Sequence, residues 1–183
     1  FGIERERELG WQGVFVIPPG GGQDELDLAV GQDEFEMPNG LCFSPDESLM
    51  YINDTPRAHI KVFDVNADGT VANKTKLIDA ADFGALDGFK VDRDGNLWCG
   101  YGSNGALNAE ASDVGGRKVF QLRGKPEDLD GVAIFNPQGK AIGFIKLPER
   151  CANLCFGGPK NNRLYMASCH SLYALYVESH GAV

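Results

Sequence analysis

Two polar residues, Asn39 and Asp87, are the side chains of this sequence whose types and spacing best suit chemistry, and they lie 48 residues apart. Each directly precedes a glycine, a short apolar run, an acidic turn and a second apolar run. Strand-built repeats of this size are typical of propeller blades, whose equivalent positions face one axis. An amide oxygen and a carboxylate converging there are hard ligands for a divalent cation, Ca²⁺ first, with Zn²⁺, Mn²⁺ and Mg²⁺ as alternatives. The other interpretation of each residue is an Asx-turn that only starts its strand.

Apolar runs separated by Gly, Asp, Asn and Pro predict the strands that would position these residues, because helical periodicity is nearly absent. We expect strands near residues 40–44, 49–53, 60–65 and 76–79, then near 89–92, 97–100, 131–136 and 142–147, and last near 153–156, 164–168 and 172–177. In the third copy, Ala152 stands at the position of Asn39 and supplies no ligand. The predicted fold class is all-β, as part of a β-propeller.

We interpret residues 1–183 as one partial β-propeller domain with about three blades. Its predicted units are the end of one blade (1–36), a blade (37–82), a blade with an insertion at 101–129 (83–148) and a last blade (149–183). A closed propeller has about four to eight blades, so we expect the missing blades to precede Phe1. The insertion is expected to lie over the metal-bearing face and to tune the choice of substrate.

Composition limits the partners and the compartment. A formal net charge of -9 argues against a nucleic-acid partner, because phosphate binding needs clustered Lys and Arg. No apolar stretch has the length of a membrane span, so no membrane partner is expected. The chain begins with Phe1 rather than Met, which leaves the compartment open, with the cytoplasm favoured over the periplasm. The triplets Asn53-Asp54-Thr55 and Asn73-Lys74-Thr75 match the N-glycosylation acceptor, a motif that is common by chance.

Four segments are informative together: Asn39-Gly40-Leu41-Cys42-Phe43-Ser44-Pro45-Asp46, Tyr51-Ile52-Asn53-Asp54-Thr55, Leu86-Asp87-Gly88 with Asp92 and Gly95-Asn96-Leu97-Trp98, and Cys155-Phe156-Gly157-Gly158. They resemble the SMP-30/gluconolactonase/luciferin-regenerating family, and the resemblance covers most of the chain. It implies the C-terminal part of a six-bladed propeller. The family binds one divalent metal through a Glu, two Asn and an Asp. Asn39 matches the second Asn and Asp87 the Asp, the other two ligands would precede Phe1, and Leu86 stands where the family usually has Pro.

The resemblance also implies metal-dependent hydrolysis of a small-molecule sugar lactone, with gluconolactone the first expectation. The cation would polarise the ester carbonyl, and Asp87 would serve both as ligand and as general base. Arg57, His59 and His170 lie in loops expected to rim the site and are candidates to bind sugar hydroxyls, or else are structural or solvated loop residues. Two other functions remain open on this fold: hydrolysis of phosphotriesters or other esters, and a non-catalytic, protein-binding propeller.

Overall fold

Strands are the only regular elements of the part of the chain that the computed structural model describes, namely residues 10–22, 25–31, 33–80, 85–102 and 129–182. The strands are β1 (Val14–Val16), β2 (Asp27–Val30), β3 (Pro38–Phe43), β4 (Leu49–Asp54), β5 (His59–Val65), β6 (Val71–Asp79), β7 (Ala85–Val91), β8 (Leu97–Gly102), β9 (Gly131–Phe135), β10 (Ala141–Lys146), β11 (Cys151–Gly157), β12 (Arg163–Ser168) and β13 (Leu172–Tyr176). The prediction of an all-β chain is confirmed. Within the described residues, no helix is long and apolar enough to cross a membrane.

The strands form four antiparallel sheets in which neighbours in sequence are neighbours in space. Their orders are β1-β2, β3-β4-β5-β6, β7-β8-β9-β10 and β11-β12-β13, which we call the first to fourth sheets. Such meanders need only hairpin connections. The division of the chain into blades, and their number in a closed ring, stay predictions.

Acidic turns join the first two strands of the second and third sheets. The Asp46 carboxylate accepts hydrogen bonds from the hydroxyls of Ser44 (2.6 Å) and Ser48 (2.8 Å). Asp92 is fully buried and accepts from the backbone N–H of Asn96 (2.8 Å) and from Nε1–H of Trp98 (2.9 Å). A short acceptor that bonds the backbone a few residues ahead closes a tight turn. This is why an acidic residue recurs between paired apolar runs.

Successive sheets share hydrophobic cores. Val30, Met50 and Phe63 pack between the first and second sheets, while Tyr51, Ile60, Leu86, Phe89 and Tyr101 pack between the second and third. Trp98, Val132, Leu154, Leu164 and Met166 fill the space between the third and fourth sheets. Each sheet therefore buries apolar side chains against the next one along the chain.

The innermost strands of three sheets, β3, β7 and β11, approach each other at glycines. A Cβ placed on Gly40 would lie 2.7 Å from the carbonyl oxygen of Asp87. One placed on Gly88 would lie 3.0 Å from the carbonyl oxygen of Ala152 and would collide with Oδ1 of Asn153. Real side chains do not tolerate such approaches, so glycine is required at both places. In both cases the glycine after the polar position contacts the carbonyl at that position of the following inner strand, which makes Asn39, Asp87 and Ala152 equivalent positions, as the sequence repeat predicts.

Strands β6 and β8 both extend beyond their predicted bounds. Strand β6 begins at Val71, five residues before the predicted start. The prediction missed this part of the strand because its middle residues are polar and exposed. Strand β8 extends to Gly102 and includes fully buried Tyr101, so the first two residues of the predicted insertion belong to the third sheet. Residues 103–128 of that insertion lie outside the described residues. Its last residue, Leu129, is described and buried.

Candidate active site

Asn39 and Asp87 meet at one end of the second and third sheets. The Nδ2 group of Asn39 donates to Oδ1 of Asp87 at 3.1 Å and to Oγ1 of Thr55 at 3.1 Å. Asn39 is the second residue of β3 and Asp87 the third of β7, so the two inner strands present both side chains to the same space. The convergence expected from the repeat is present in the structure, whereas the role of the two residues as metal ligands stays a prediction.

A third charged group, Arg150, completes this cluster. Its guanidinium forms an ion pair with Oδ2 of Asp87, and the two side chains are 13% and 15% exposed. The stem of Arg150 lies across Gly102 of β8, where an added Cβ would collide with its Cβ and Cγ. Sequence analysis missed Arg150. It stands two residues before Ala152, where the equivalent positions hold Met37 and Ala85, so the charge change at one repeat position was the available signal.

Asn53 ties the backbones of the two site strands together. Its Oδ1 accepts the N–H of Gly40 at 2.6 Å, while its Nδ2 donates to the carbonyl of Asp87. The side chain is fully buried, so both bonds form away from water, where an unpaired backbone group is costly. Asn53 therefore fixes the separation of Asn39 from Asp87 along the contact between the second and third sheets. The same burial makes the Asn53 side chain inaccessible as a glycosylation acceptor in the folded protein.

Thr55 and Asp54 extend this support on either side. The Thr55 hydroxyl accepts from Asn39 and donates to the carbonyl of Leu86 at 2.8 Å, so it contacts both strands that bear the site. The fully buried Asp54 accepts the N–H groups of Glu36 (2.7 Å) and Met37 (3.2 Å), which fixes the segment leading into β3. Asn53, Asp54 and Thr55, at and just after the end of β4, thus hold the side chain of Asn39 and the backbone on either side of it.

The three candidate substrate-binding residues lie in the expected turns but are engaged differently. Nη1 of Arg57 lies 3.6 Å from Oδ2 of Asp54, and its Nη2 lies 3.7 Å from Oε2 of Glu36, so two neighbouring carboxylates hold the guanidinium. His59 starts β5 opposite Asp54, and its Nε2 has no hydrogen-bond partner among the described residues. Burial lowers the pKa of His59, which favours the neutral imidazole. No described contact joins either residue to Asn39 or Asp87, and their role in binding substrate is untested.

His170 contacts Glu149, the residue that precedes Arg150 in the sequence. The side chain of His170 is 88% exposed, and its Nδ1 lies 2.9 Å from Oε2 of Glu149. The backbone N–H of His170 donates to the same oxygen at 3.0 Å, and the Tyr173 hydroxyl donates to Oε1 at 3.1 Å. The bond from His170 is the main cause that lowers the pKa of Glu149. This turn of the fourth sheet therefore lies at the same end as Arg150.

The donor types at Asn39 and Asp87 fit part of a cation site. Carboxylate and amide oxygens are the ligands that Ca²⁺ and Mg²⁺ prefer, and a half-turn of the Asn39 amide would present Oδ1 beside Asp87. Ca²⁺ takes six to eight oxygens. The described residues contain no cluster of three or more His, Cys, Asp or Glu side chains able to hold a metal. Water, or side chains beyond the described ranges, would have to provide the other ligands.

The chain is similar to known proteins in both sequence and fold. A family model described as SMP-30/Gluconolactonase/LRE-like region matches residues 4–170. The gluconolactonase of Zymomonas mobilis subsp. mobilis is 26% identical over 186 residues, which cover 96% of this chain and 43% of that protein. A solved gluconolactonase from Xanthomonas campestris is 28% identical with a TM-score of 0.70, covering 94% of this chain and 46% of that one.

The fold is shared more widely than the sequence. Regucalcin from Agrobacterium tumefaciens, described as a calcium-binding protein, is 19% identical with a TM-score of 0.68, covering 92% of this chain and 53% of that one. At that identity the likeness concerns the fold alone. The chain spans about half the length of the relatives it matches.

Proposed function

Because the chain belongs to the SMP-30/gluconolactonase/LRE-like family, we propose that it carries part of the active site of a metal-dependent sugar-lactone hydrolase. The observation that carries the proposal is the contact between Asn39 and Asp87, two oxygen-bearing side chains at equivalent positions of adjacent inner strands. The names of the Zymomonas and Xanthomonas relatives support gluconolactone as the first substrate to test. The proposed substrates are therefore small, neutral, polyhydroxylated cyclic esters.

In this proposal Asn39 and Asp87 hold one divalent cation, with Ca²⁺ the first candidate because both donors are hard oxygens. When bound, the cation would polarise the lactone carbonyl and offset the negative charge that develops on its oxygen. Asp87 accepts a proton from the attacking water as the new C–O bond forms. The ring C–O bond breaks and its oxygen takes up a proton, so that lactone and water give one hydroxy acid.

The surrounding residues act on position rather than on bonds. Asn53 accepts a hydrogen bond from the backbone of β3 and donates one to the backbone of β7, and Thr55 donates to the carbonyl of Leu86, so the strand segments that bear Asn39 and Asp87 are held before substrate arrives. Such preorganisation matters because small displacements of a catalytic group reduce the rate strongly. Arg57, His59 and His170 lie around this end of the sheets, and we include them as candidates for contacts with the sugar hydroxyls.

We extend the proposal to the architecture of the whole protein. The second, third and fourth sheets correspond to the predicted blades 37–82, 83–148 and 149–183 of a six-bladed ring, and the first sheet to the end of a preceding blade. The repeated glycine contact between inner strands supports a common axis. A crystal structure of the complete gene product tests this, since six sheets around one channel are expected and any other number would contradict it.

The decisive experiment is a hydrolysis assay on the complete gene product. Acid release from D-glucono-1,5-lactone is followed in a pH-stat, with EDTA and then with added Ca²⁺, Mn²⁺, Mg²⁺ or Zn²⁺. We expect activity that EDTA abolishes and a divalent cation restores, and a loss on the order of 10²-fold or more for Asp87→Asn. Full activity in EDTA would remove the cation from the proposal. Faster turnover of a phosphotriester than of any lactone would replace the substrate class.

A further inference from the structure

The ion pair between Arg150 and Asp87 has a consequence for cation binding. Asp87 is 15% exposed and Arg150 is 13% exposed, so both charges are largely removed from water. A carboxylate in such a place is strongly unfavourable without a counter-charge. The guanidinium of Arg150 supplies that charge at Oδ2, while Asn39 donates to Oδ1.

The fold makes room for this arginine. Arg150 leads into β11 of the fourth sheet, and its stem crosses β8 of the third sheet at Gly102. The atoms that a Cβ at position 102 would meet are the Cβ, Cγ and Cδ of Arg150, close to the root of the side chain, where it cannot swing away cheaply. The absence of a side chain at Gly102 therefore lets Arg150 reach across from one sheet to the carboxylate of the next.

We infer that Arg150 is a built-in counter-ion of Asp87, which a divalent cation must displace or share, and which thereby sets the affinity of the site. The inference rests on the proposed function, in that Asp87 is a cation ligand there. A guanidinium and a divalent cation on one carboxylate repel each other at low effective dielectric. Arg150 accordingly keeps the metal-free site neutral and folded, at the cost of weaker cation binding.

Arg150→Met tests this role because it keeps a long apolar stem over Gly102 and removes the charge. Ca²⁺ affinity is measured by isothermal titration calorimetry on the complete gene product. We expect Arg150→Met to bind Ca²⁺ about tenfold more tightly, or better, and Arg150→Lys to stay within about threefold of the wild type. Arg163→Met is the matched control. Arg163 begins β12, whose other end pairs with Cys151 next to Arg150, and it stacks on Tyr165 and Tyr176. Its replacement removes one positive charge far from Asp87 and should leave the Ca²⁺ affinity unchanged.

A second measurement keeps the inference testable if the variant folds poorly. In EDTA, Arg150→Met should lower the melting temperature, because Asp87 loses its counter-charge, and the double variant Arg150→Met/Asp87→Asn should recover most of the loss. Equal or weaker Ca²⁺ binding by Arg150→Met, or an unchanged melting temperature in EDTA, would overturn the inference while leaving the cation site intact. Absence of Ca²⁺ binding in the wild type and in every variant would instead contradict the proposed cation site itself.

Discussion

Replacing Asn53 by Ala should destabilise the protein more than loss of an ordinary surface amide. The change removes the acceptor for the Gly40 N–H, at 2.6 Å, and the donor to the Asp87 carbonyl. Both backbone groups then lie unpaired in a position where Asn53 itself has no exposed surface. An unsatisfied buried group costs about 1–3 kcal/mol, so two of them predict a loss of about 2–6 kcal/mol in the free energy of unfolding.

The assay is urea denaturation of the complete gene product, followed by intrinsic fluorescence. Asn136→Ala is the matched control. Its Oδ1 also makes two hydrogen bonds, to the N–H groups of Gln138 (3.1 Å) and Lys140 (2.9 Å), but in an exposed turn. Water replaces those bonds, so the control should lose less than about 1 kcal/mol. Equal losses for the two variants would show that Asn53 does not bridge the sheets in the way described.

Three further expectations concern the neighbours of the charged cluster. Thr55→Val should weaken Ca²⁺ binding several-fold, because the carbonyl of Leu86, next to Asp87, loses its hydrogen-bond donor, whereas Thr55→Ser should bind like the wild type; calorimetry measures both affinities, and equal values for the two variants would contradict this support. Gly102→Ala should cost about 1–3 kcal/mol in urea denaturation through its clash with Arg150, and an unchanged stability would show that Arg150 passes elsewhere. His170→Ala should raise the pKa of Glu149 towards its ordinary value in an NMR titration, since His170 is the main cause that lowers it. A lowered folded-state pKa means that this contact stabilises the protein above the ordinary Glu pKa and is lost as the pH falls through the lowered value.

The strands could be predicted because turn chemistry and apolar runs are local signals. Most strand bounds in the second, third and fourth sheets lie close to the predicted ones, and the acidic turns at Asp46 and Asp92 have the hydrogen bonds that such residues make. The exception is the first half of β6, where Asn73, Lys74 and Thr75 are exposed on both faces. An outer strand with little to bury gives no period-two pattern, so nothing in its sequence distinguishes it from a loop.

The meeting of Asn39 and Asp87 could also be predicted, because a repeat converts a sequence offset into a spatial equivalence. Two residues 48 positions apart were expected at the same place on adjacent inner strands, and their side chains are 3.1 Å apart. What the repeat cannot give is the identity of groups that reach across between sheets. Asn53 occupies an ordinary strand position, and only its approach to Gly40 and Asp87 makes it a bridge.

Arg150 is a second residue that the repeat could not reveal, in this case a charged one. Equivalent positions in a repeat share their backbone setting but not their side chains, and function enters where one copy departs from the others. At the position equivalent to Asn39 and Asp87, the fourth sheet has the neutral residue Ala152. Two residues earlier in the sequence, Arg150 provides the guanidinium that contacts Asp87. The third sheet accommodates the Arg150 side chain only because position 102 is glycine. The charge balance of the site is therefore distributed over three sheets, with an amide from the second, a carboxylate from the third and a guanidinium from the fourth.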